Sequence, residues 1–166
     1  MIKISKSAKL FICILICEGT GIISSLLSNV KDNAWFDTLL KPSWNPPAYL
    51  FAPVWTILYL MMAISLWMIW SRESSSSTAQ ERKIKSTAFG LFAAQLFLNF
   101  WWSIIFFKFH STTFALVDIV LMVITIGITI YYFAKISTKA AALLIPYIAW
   151  VSFATMLNFK IFLLNG

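Results

Sequence analysis

The chain has 166 residues, 60% hydrophobic, 17% aromatic and 11% charged, with a mean hydropathy of +0.83. Soluble domains carry about 45–50% apolar and about 25% charged residues, so the composition excludes an ordinary water-soluble domain, and at about 20 residues per transmembrane helix the length allows about five spans. Net charge is +7, but the cations flank apolar segments and form no basic run interleaved with aromatics, which excludes nucleic acid as a partner and leaves topology and anionic lipid heads as their role.

In chain order, Lys3, Lys6 and Lys9 lead into an apolar run over 10–27. The run is too long for most signal-peptide h-regions and lacks a clean small-x-small cleavage site, so it predicts a first transmembrane helix over about 8–28. Cys13 and Cys17, the two cysteines, lie four apart on one face of that helix with no metal-ligand spacing around them; they read as small buried hydrophobes, with a thiolate ligand for a metal or haem as the minor alternative, and no metal site is expected. Glu18 sits mid-span, where an ionisable group is either a protonated structural carboxyl or part of a ligand cavity. Gly19 and Gly21 beside it permit close approach of a helix or a ligand.

Residues 29–46 form a Trp/Pro loop, Trp35-Phe36-Asp37-Thr38-Leu39-Leu40-Lys41-Pro42-Ser43-Trp44-Asn45-Pro46-Pro47. Proline fixes φ and removes a backbone donor, so this connection is stiff. Trp35 and Trp44 add large amphipathic rings that anchor in an interface, cover a site or bind a ligand. The second span is expected over about 47–70, with Pro53 bending its first turns, Trp55, Tyr59 and Met62 on one face, and Trp67 and Trp70 at the far interface. Residues 71–86 form a Ser-rich, basic loop carrying Ser74-Ser75-Ser76-Ser77.

The third span covers about 87–107. Gln95, Asn99, Trp102 and Phe106 share a stripe, an amide pair that serves as interhelical glue or as ligand contacts. Gly90 and Ala94 make a small-xxx-small pair suited to packing between helices or protomers. His110, in the turn Lys108-Phe109-His110-Ser111, reads as a solvated side chain. The fourth span covers about 113–133, with Asp118 near its start as a structural carboxylate or an acceptor for the third span's amides. The fifth covers about 140–164, kinked at Pro146. Its stripe of Trp150, Ala154, Leu157 and Asn158 describes either small-residue packing or a pocket wall with a flat surface, room and a polar handle. Together these segments predict an all-α integral membrane bundle of five transmembrane helices in one domain over 1–166.

Lys3, Lys6, Lys9, Arg72, Arg82, Lys83, Lys85, Lys135 and Lys139 fall on one side of that bundle; Lys31, Lys41, Lys108 and Lys160 fall on the other. The positive-inside rule then puts the N-terminus and the Ser-rich loop in the cytoplasm, and the Trp/Pro loop and the C-terminus opposite.

The ordered blocks Trp35-Phe36, Lys41-Pro42-Ser43-Trp44-Asn45-Pro46-Pro47, Pro53-Val54-Trp55 with Leu58-Tyr59, Gln95-Leu96-x-Leu98-Asn99-x-x-Trp102, Ala115-Leu116-Val117-Asp118, Leu143-Leu144-x-Pro146-Tyr147-x-x-Trp150 and Phe153-Ala154-Thr155-x-Leu157-Asn158 span essentially the whole chain. Together they resemble the TspO/MBR family of tryptophan-rich sensory proteins, translocator proteins or peripheral-type benzodiazepine receptors. The resemblance implies a five-helix bundle, commonly a homodimer, with a pocket under the first loop for tetrapyrroles such as protoporphyrin IX and haem, for sterols, and for synthetic benzodiazepine-type ligands. It carries pocket roles to Trp44, Trp55, Asn99, Trp102, Trp150, Ala154, Leu157 and Asn158; with Trp35 of the loop these are the ligand-binding candidates. Trp55 and Trp150 match tryptophans implicated in porphyrin photodegradation and are the catalytic candidates. Two positions depart from the family pattern: Phe36 replaces a frequent tyrosine, and Phe159 replaces the tyrosine of the animal sterol motif, which counts against a sterol site.

The leading expectation is a receptor or sensor that binds a porphyrin or haem as ligand and requires no cofactor. Tryptophan faces suit the porphyrin plane, Asn99 or Asn158 suits its polar edges, and Lys41 suits a propionate. A light- and oxygen-dependent porphyrin-degrading enzyme is the alternative, and a transporter ranks below it because neither an inverted repeat nor a pair of broken helices is evident.

Overall fold

A computed structural model describes residues 4–30, 33–72 and 78–165. Lys3, Lys31, Asp32 and the serine run 74–77 lie outside the described residues. The described chain is helical, with no strand among its elements: α1 (Lys6–Ser28), α2 (Ala34–Thr38), a 3-10 turn (Ala48–Leu50) leading into α3 (Phe51–Ser71), α4 (Ala79–Ser103) continued by a π-helical turn (Ile104–Lys108), α5 (Thr112–Ile136), α6 (Thr138–Leu143) and α7 (Ile145–Asn165). Five units are long and apolar enough to cross a membrane: Lys6–Ser28, Ala48–Ser71, Ala79–Lys108, Thr112–Ile136 and Thr138–Asn165. Helices suit a bilayer because every backbone group is satisfied within the segment. This is the five-helix membrane bundle that the sequence predicts.

Local chemistry sets the helix ends. Ser5 caps α1 by accepting from Ala8 N, and Asn29 closes it in the left-handed region at φ 50°. The third span begins at Ala79, not near 87, because Thr78 and Glu81 form a reciprocal capping box that carries the helix through the basic stretch assigned to the loop. At its other end α4 loosens into the π turn, where Phe109 N donates to Ile104 O at 3.0 Å and Ser111 N donates to Ile105 O at 3.1 Å. His110 turns the chain at φ 53°. Ser137 both ends α5 and caps α6. The fifth span divides at Leu144, just before Ile145-Pro146, which is the interruption that Pro146 predicts. Pro53, expected to bend α3, lies in its first turn after the 3-10 segment, where a proline costs a helix little.

The spans close into a ring. α1 packs on α3 and α4, α4 on α5, α5 on α6 and α7, and α3 on α6. Ser24 Oγ donates to Phe100 O, tying α1 to α4, and Ser65 Oγ donates to Ala140 O, tying α3 to α6, both at 2.7 Å. Gly21 lets α1 approach α3 closely: a Cβ there would run into the ring of Tyr59. α3 and α7 share far fewer backbone contacts, and aromatic side chains occupy the space between them. At one end of the bundle Trp67 Nε1 donates to Lys6 O at 2.9 Å, Lys85 Nζ to Arg72 O at 2.8 Å, and Arg72 to Ile136 O. The Trp/Pro loop covers the opposite end. It is pinned there by Asn165, whose side chain accepts from Leu40 N at 2.9 Å and donates to Leu40 O at 3.0 Å, and by Asn33 Nδ2, which donates to Phe107 O at 2.8 Å.

Candidate functional site

Beneath the loop, α3 and α7 face each other through interlocking rings. Phe51 meets Trp150 edge-on with centroids 6.0 Å apart, Trp150 lies 5.6 Å from Phe153, and Trp44 of the loop meets Phe153 at 5.8 Å. One helical turn deeper, Trp55 lies 5.5 Å from Tyr59 and 6.4 Å from Tyr147. Trp44 is 46% exposed, whereas the rings below it are half-buried or buried, so the loop tryptophan forms the outer edge of an aromatic cleft that these rings themselves fill. Trp150 Nε1 is buried and has no hydrogen-bond partner among the described residues. A buried indole N–H ordinarily finds an acceptor.

The floor of the cleft is polar. Tyr59 Oη donates to Asn99 Oδ1, Asn99 Nδ2 donates to Tyr147 Oη at 3.1 Å, and Tyr147 Oη donates to Gln95 Oε1 at 2.8 Å. Met122 Sδ lies 3.6 Å from the Tyr147 hydroxyl. All four hydrogen-bonding residues are buried, and the chain links α3, α4 and α7. The amides of α4 therefore turn to the two tyrosines and not to Asp118, which makes no hydrogen bond with them. The amide stripe lies on the inner face of α4 because residues three and four apart share a face.

A second group sits closer to the loop end. Trp102 stacks on Phe106 at 5.4 Å and 19°, and Trp35 meets Phe106 edge-on at 5.5 Å. Asn158, in the amide orientation that satisfies both neighbours, accepts from Trp102 Nε1 at 3.1 Å and donates to Thr112 O at 3.2 Å. Leu157 packs in the same cluster with Ala115 and Ile161. Trp35 also stacks on His110, with centroids 4.5 Å apart and planes 20° from parallel. His110 is exposed, as its sequence context predicts, and its ring also pairs with Trp35 to clamp the loop. Asn29, Asn33, Lys108 and these two rings line a groove of about 390 Å³ beside the loop. Lys41 Nζ lies 4.3 Å from the centroid of Phe36; cation–π contact holds it over the loop.

The expected residues therefore fall into two neighbouring sets. Trp44, Trp55, Trp150 and Asn99 border the aromatic cleft; Trp35, Leu157 and Asn158 belong to the packed cluster under the loop. Trp102 packs both on the central core and on the cluster under the loop, and Ala154 packs on the central core. Sequence reasoning did not single out Tyr147, Phe51, Phe153 or Phe106 as site residues. Tyr147 was detectable in principle: it follows Pro146 and lies three residues before Trp150, on the same helical face. The phenylalanines carry no polar group that would separate them from the other aromatics of the chain. Glu18 is half-buried, and Cys13 and Cys17 are fully buried in the core.

A family model described as the TspO/MBR family matches residues 13–164. The chain is 43% identical over 156 residues to the tryptophan-rich protein TspO of Chlorobaculum tepidum, covering 94% of this chain and 95% of the relative. It is 32% identical over 156 residues to the tryptophan-rich sensory protein of Cereibacter sphaeroides, covering 94% and 91%. It is 38% identical over 140 residues to the translocator protein of Bos taurus, covering 84% and 80%.

Proposed function

The chain belongs to the TspO/MBR family, and on that premise we propose that this multi-pass membrane protein is a receptor or sensor whose cleft between α3 and α7 takes a tetrapyrrole, protoporphyrin IX or haem, beneath the Trp/Pro loop. The observation that carries the reading is the buried, unpartnered indole N–H of Trp150 within a wall of aromatic rings. A porphyrin offers what that wall lacks: a flat π surface for the rings and a propionate carboxylate as acceptor for the N–H. Binding swings Trp44 and Phe153 outward, since the interlocked rings occupy the space a macrocycle needs. The amide–phenol chain below is the floor that faces a polar edge, and Lys41 at the loop is the cation that meets a propionate. The protein acts as a homodimer through the exposed Gly90 and Ala94 face of α4, with its N-terminus cytoplasmic and the loop on the opposite side.

A second reading is light- and oxygen-dependent degradation of the bound porphyrin. It is favoured by the 5.5 Å approach of Trp55 to Tyr59, which sets an oxidisable indole beside a phenol at the cleft.

Titration of detergent-purified protein with protoporphyrin IX in the dark, followed by tryptophan quenching, tests the first reading. The expected outcome is saturable binding with a Kd on the order of micromolar or tighter, weakened about tenfold by Trp150→Phe and by Trp55→Phe. Non-saturable quenching, equal in all three proteins, contradicts it. Illumination of the same samples tests the second reading: turnover that is lost in Trp55→Phe once the pigment is bound to saturation supports an evolved reaction, and equal bleaching in both proteins contradicts it.

A further inference from the structure

A separate site lies outside the aromatic cleft, on the outer surface of the bundle. Between the π-helical end of α4 and the first turns of α5 runs a groove of about 350 Å³. Phe109, Phe114, Val117 and Leu121 line it and are exposed on the outside of the bundle, so the groove opens toward lipid. The one acidic residue in its lining is Asp118, 8% exposed, whose Oδ2 has no hydrogen-bond partner among the described residues. Neighbouring polar side chains make no hydrogen bond to it: Ser111 Oγ, in the same lining, accepts from Phe114 N at 3.3 Å, and Asn99 is held by Tyr59 and Tyr147. A carboxyl left without a donor at this depth is costly, and bilayer carboxyls as a rule meet a partner.

We propose that this groove binds a neutral glycerolipid of diacylglycerol type, with its free hydroxyl on the Asp118 carboxyl and an acyl chain along Phe114, Val117 and Leu121. Three features select that occupant. The groove opens to the bilayer, so its ligand arrives as a membrane component with an apolar body. Asp118 lies six residues beyond the start of α5 at Thr112, or about 9 Å along the helix. That is more than one turn inside the helix end next to Lys108, and a phosphate would repel the ionised carboxylate. A hydroxyl can donate to the ionised carboxylate and accept from the protonated acid, whereas an ammonium serves only the ionised form. A lipid alcohol therefore satisfies Asp118 in either state.

The test uses the full chain in phosphatidylcholine nanodiscs doped with a diacylglycerol carrying a diazirine in one acyl chain. Photolysis is expected to label the α5 segment around Val117 saturably. Unlabelled dioleoylglycerol should compete, and phosphatidylethanolamine or added phosphatidylcholine should not. Asp118→Leu should lower labelling about tenfold, and Asp118→Asn, which retains an acceptor and a donor, should preserve most of it. Val117→Trp fills the groove from its exposed side while leaving the carboxyl and the core in place; it should abolish labelling, and it keeps the test decisive if Asp118→Leu does not fold. Equal labelling of wild type and Val117→Trp overturns the proposal. So does displacement by phosphatidylethanolamine, which would make the head an ammonium, or crosslinking of this groove to a second copy of the chain in place of lipid.

Discussion

The hydroxyl of Tyr147 sits in the bundle interior, accepting from Asn99 and donating to Gln95. Removing it leaves two buried amides short of a partner while changing volume little. Tyr147→Phe should therefore cost on the order of 1–2 kcal/mol, read as a lower thermal midpoint in detergent, with the helical content of the folded protein unchanged. An unchanged midpoint would mean that Asn99 and Gln95 find other partners. At this scale the sequence was partly legible. The spacing of Trp55, Tyr59 and Met62 predicted a common face, and all three point inward, with Tyr59 and Met62 buried and Trp55 packed on the core. The spacing of Gln95 and Asn99 predicted an inward amide pair, and both are buried. What each amide touches was not legible, because a periodic pattern fixes a face and leaves the partner on the facing helix open. Asp118 illustrates the gap: it lies on the expected helix, yet the amides bond to tyrosines and Asp118 joins the outer groove. His110 is the opposite case, a single histidine in a turn whose stacking on Trp35 depends on a loop packed from 75 residues away.

Among the elements, the loop over the bundle end is held by a small number of identifiable contacts. Asn165 makes two hydrogen bonds to the backbone of Leu40 and none to the cleft. Asn165→Ala should therefore speed amide hydrogen exchange over 34–40 and raise the porphyrin dissociation rate several-fold, about 1 kcal/mol for the lost bonds, with the unfolding midpoint nearly unchanged. Unaltered exchange in the loop would show that the aromatic contacts alone secure it. Existence and order of the spans were legible because long apolar runs in a bilayer have one dominant solution, a helix. Their ends were less so. The Thr78 and Glu81 capping box was present in the sequence but overshadowed by the charges that follow it. The π turn at Ile104–Lys108 had no marker, since no glycine or proline announces it and the left-handed residue is a histidine. Pro146 did mark the break in the last span, because the residue type itself forbids an uninterrupted ladder.

For the whole molecule, α4 carries a stripe of small residues on the outside of the ring of spans. Gly90 has nothing within 4 Å of where a Cβ would stand, and Ala93, Ala94 and Phe97 beside it are exposed. If this face joins two protomers, Gly90→Leu should separate them in nanodiscs, read as loss of energy transfer between labelled copies, while the unfolding free energy of the monomer stays within about 0.5 kcal/mol of wild type. Retained energy transfer would place the dimer face elsewhere. The class of the molecule was legible from composition alone, and its family from seven ordered blocks of tryptophan, proline and asparagine. The lipid-facing groove was not, because it arises where the π turn of α4 meets α5 and no single segment encodes it.

On the proposed function, the cleft between α3 and α7 holds one tetrapyrrole in a fixed orientation. Circular dichroism in the Soret region measures this directly, since an achiral porphyrin acquires a signal there only when a chiral site orients it, and detergent micelles supply none. An induced signal is expected that saturates at one protoporphyrin IX per chain and is lost or inverted in Trp150→Phe. Absence of an induced signal at saturating pigment, or a signal that is indifferent to both Trp150→Phe and Trp55→Phe, would contradict it.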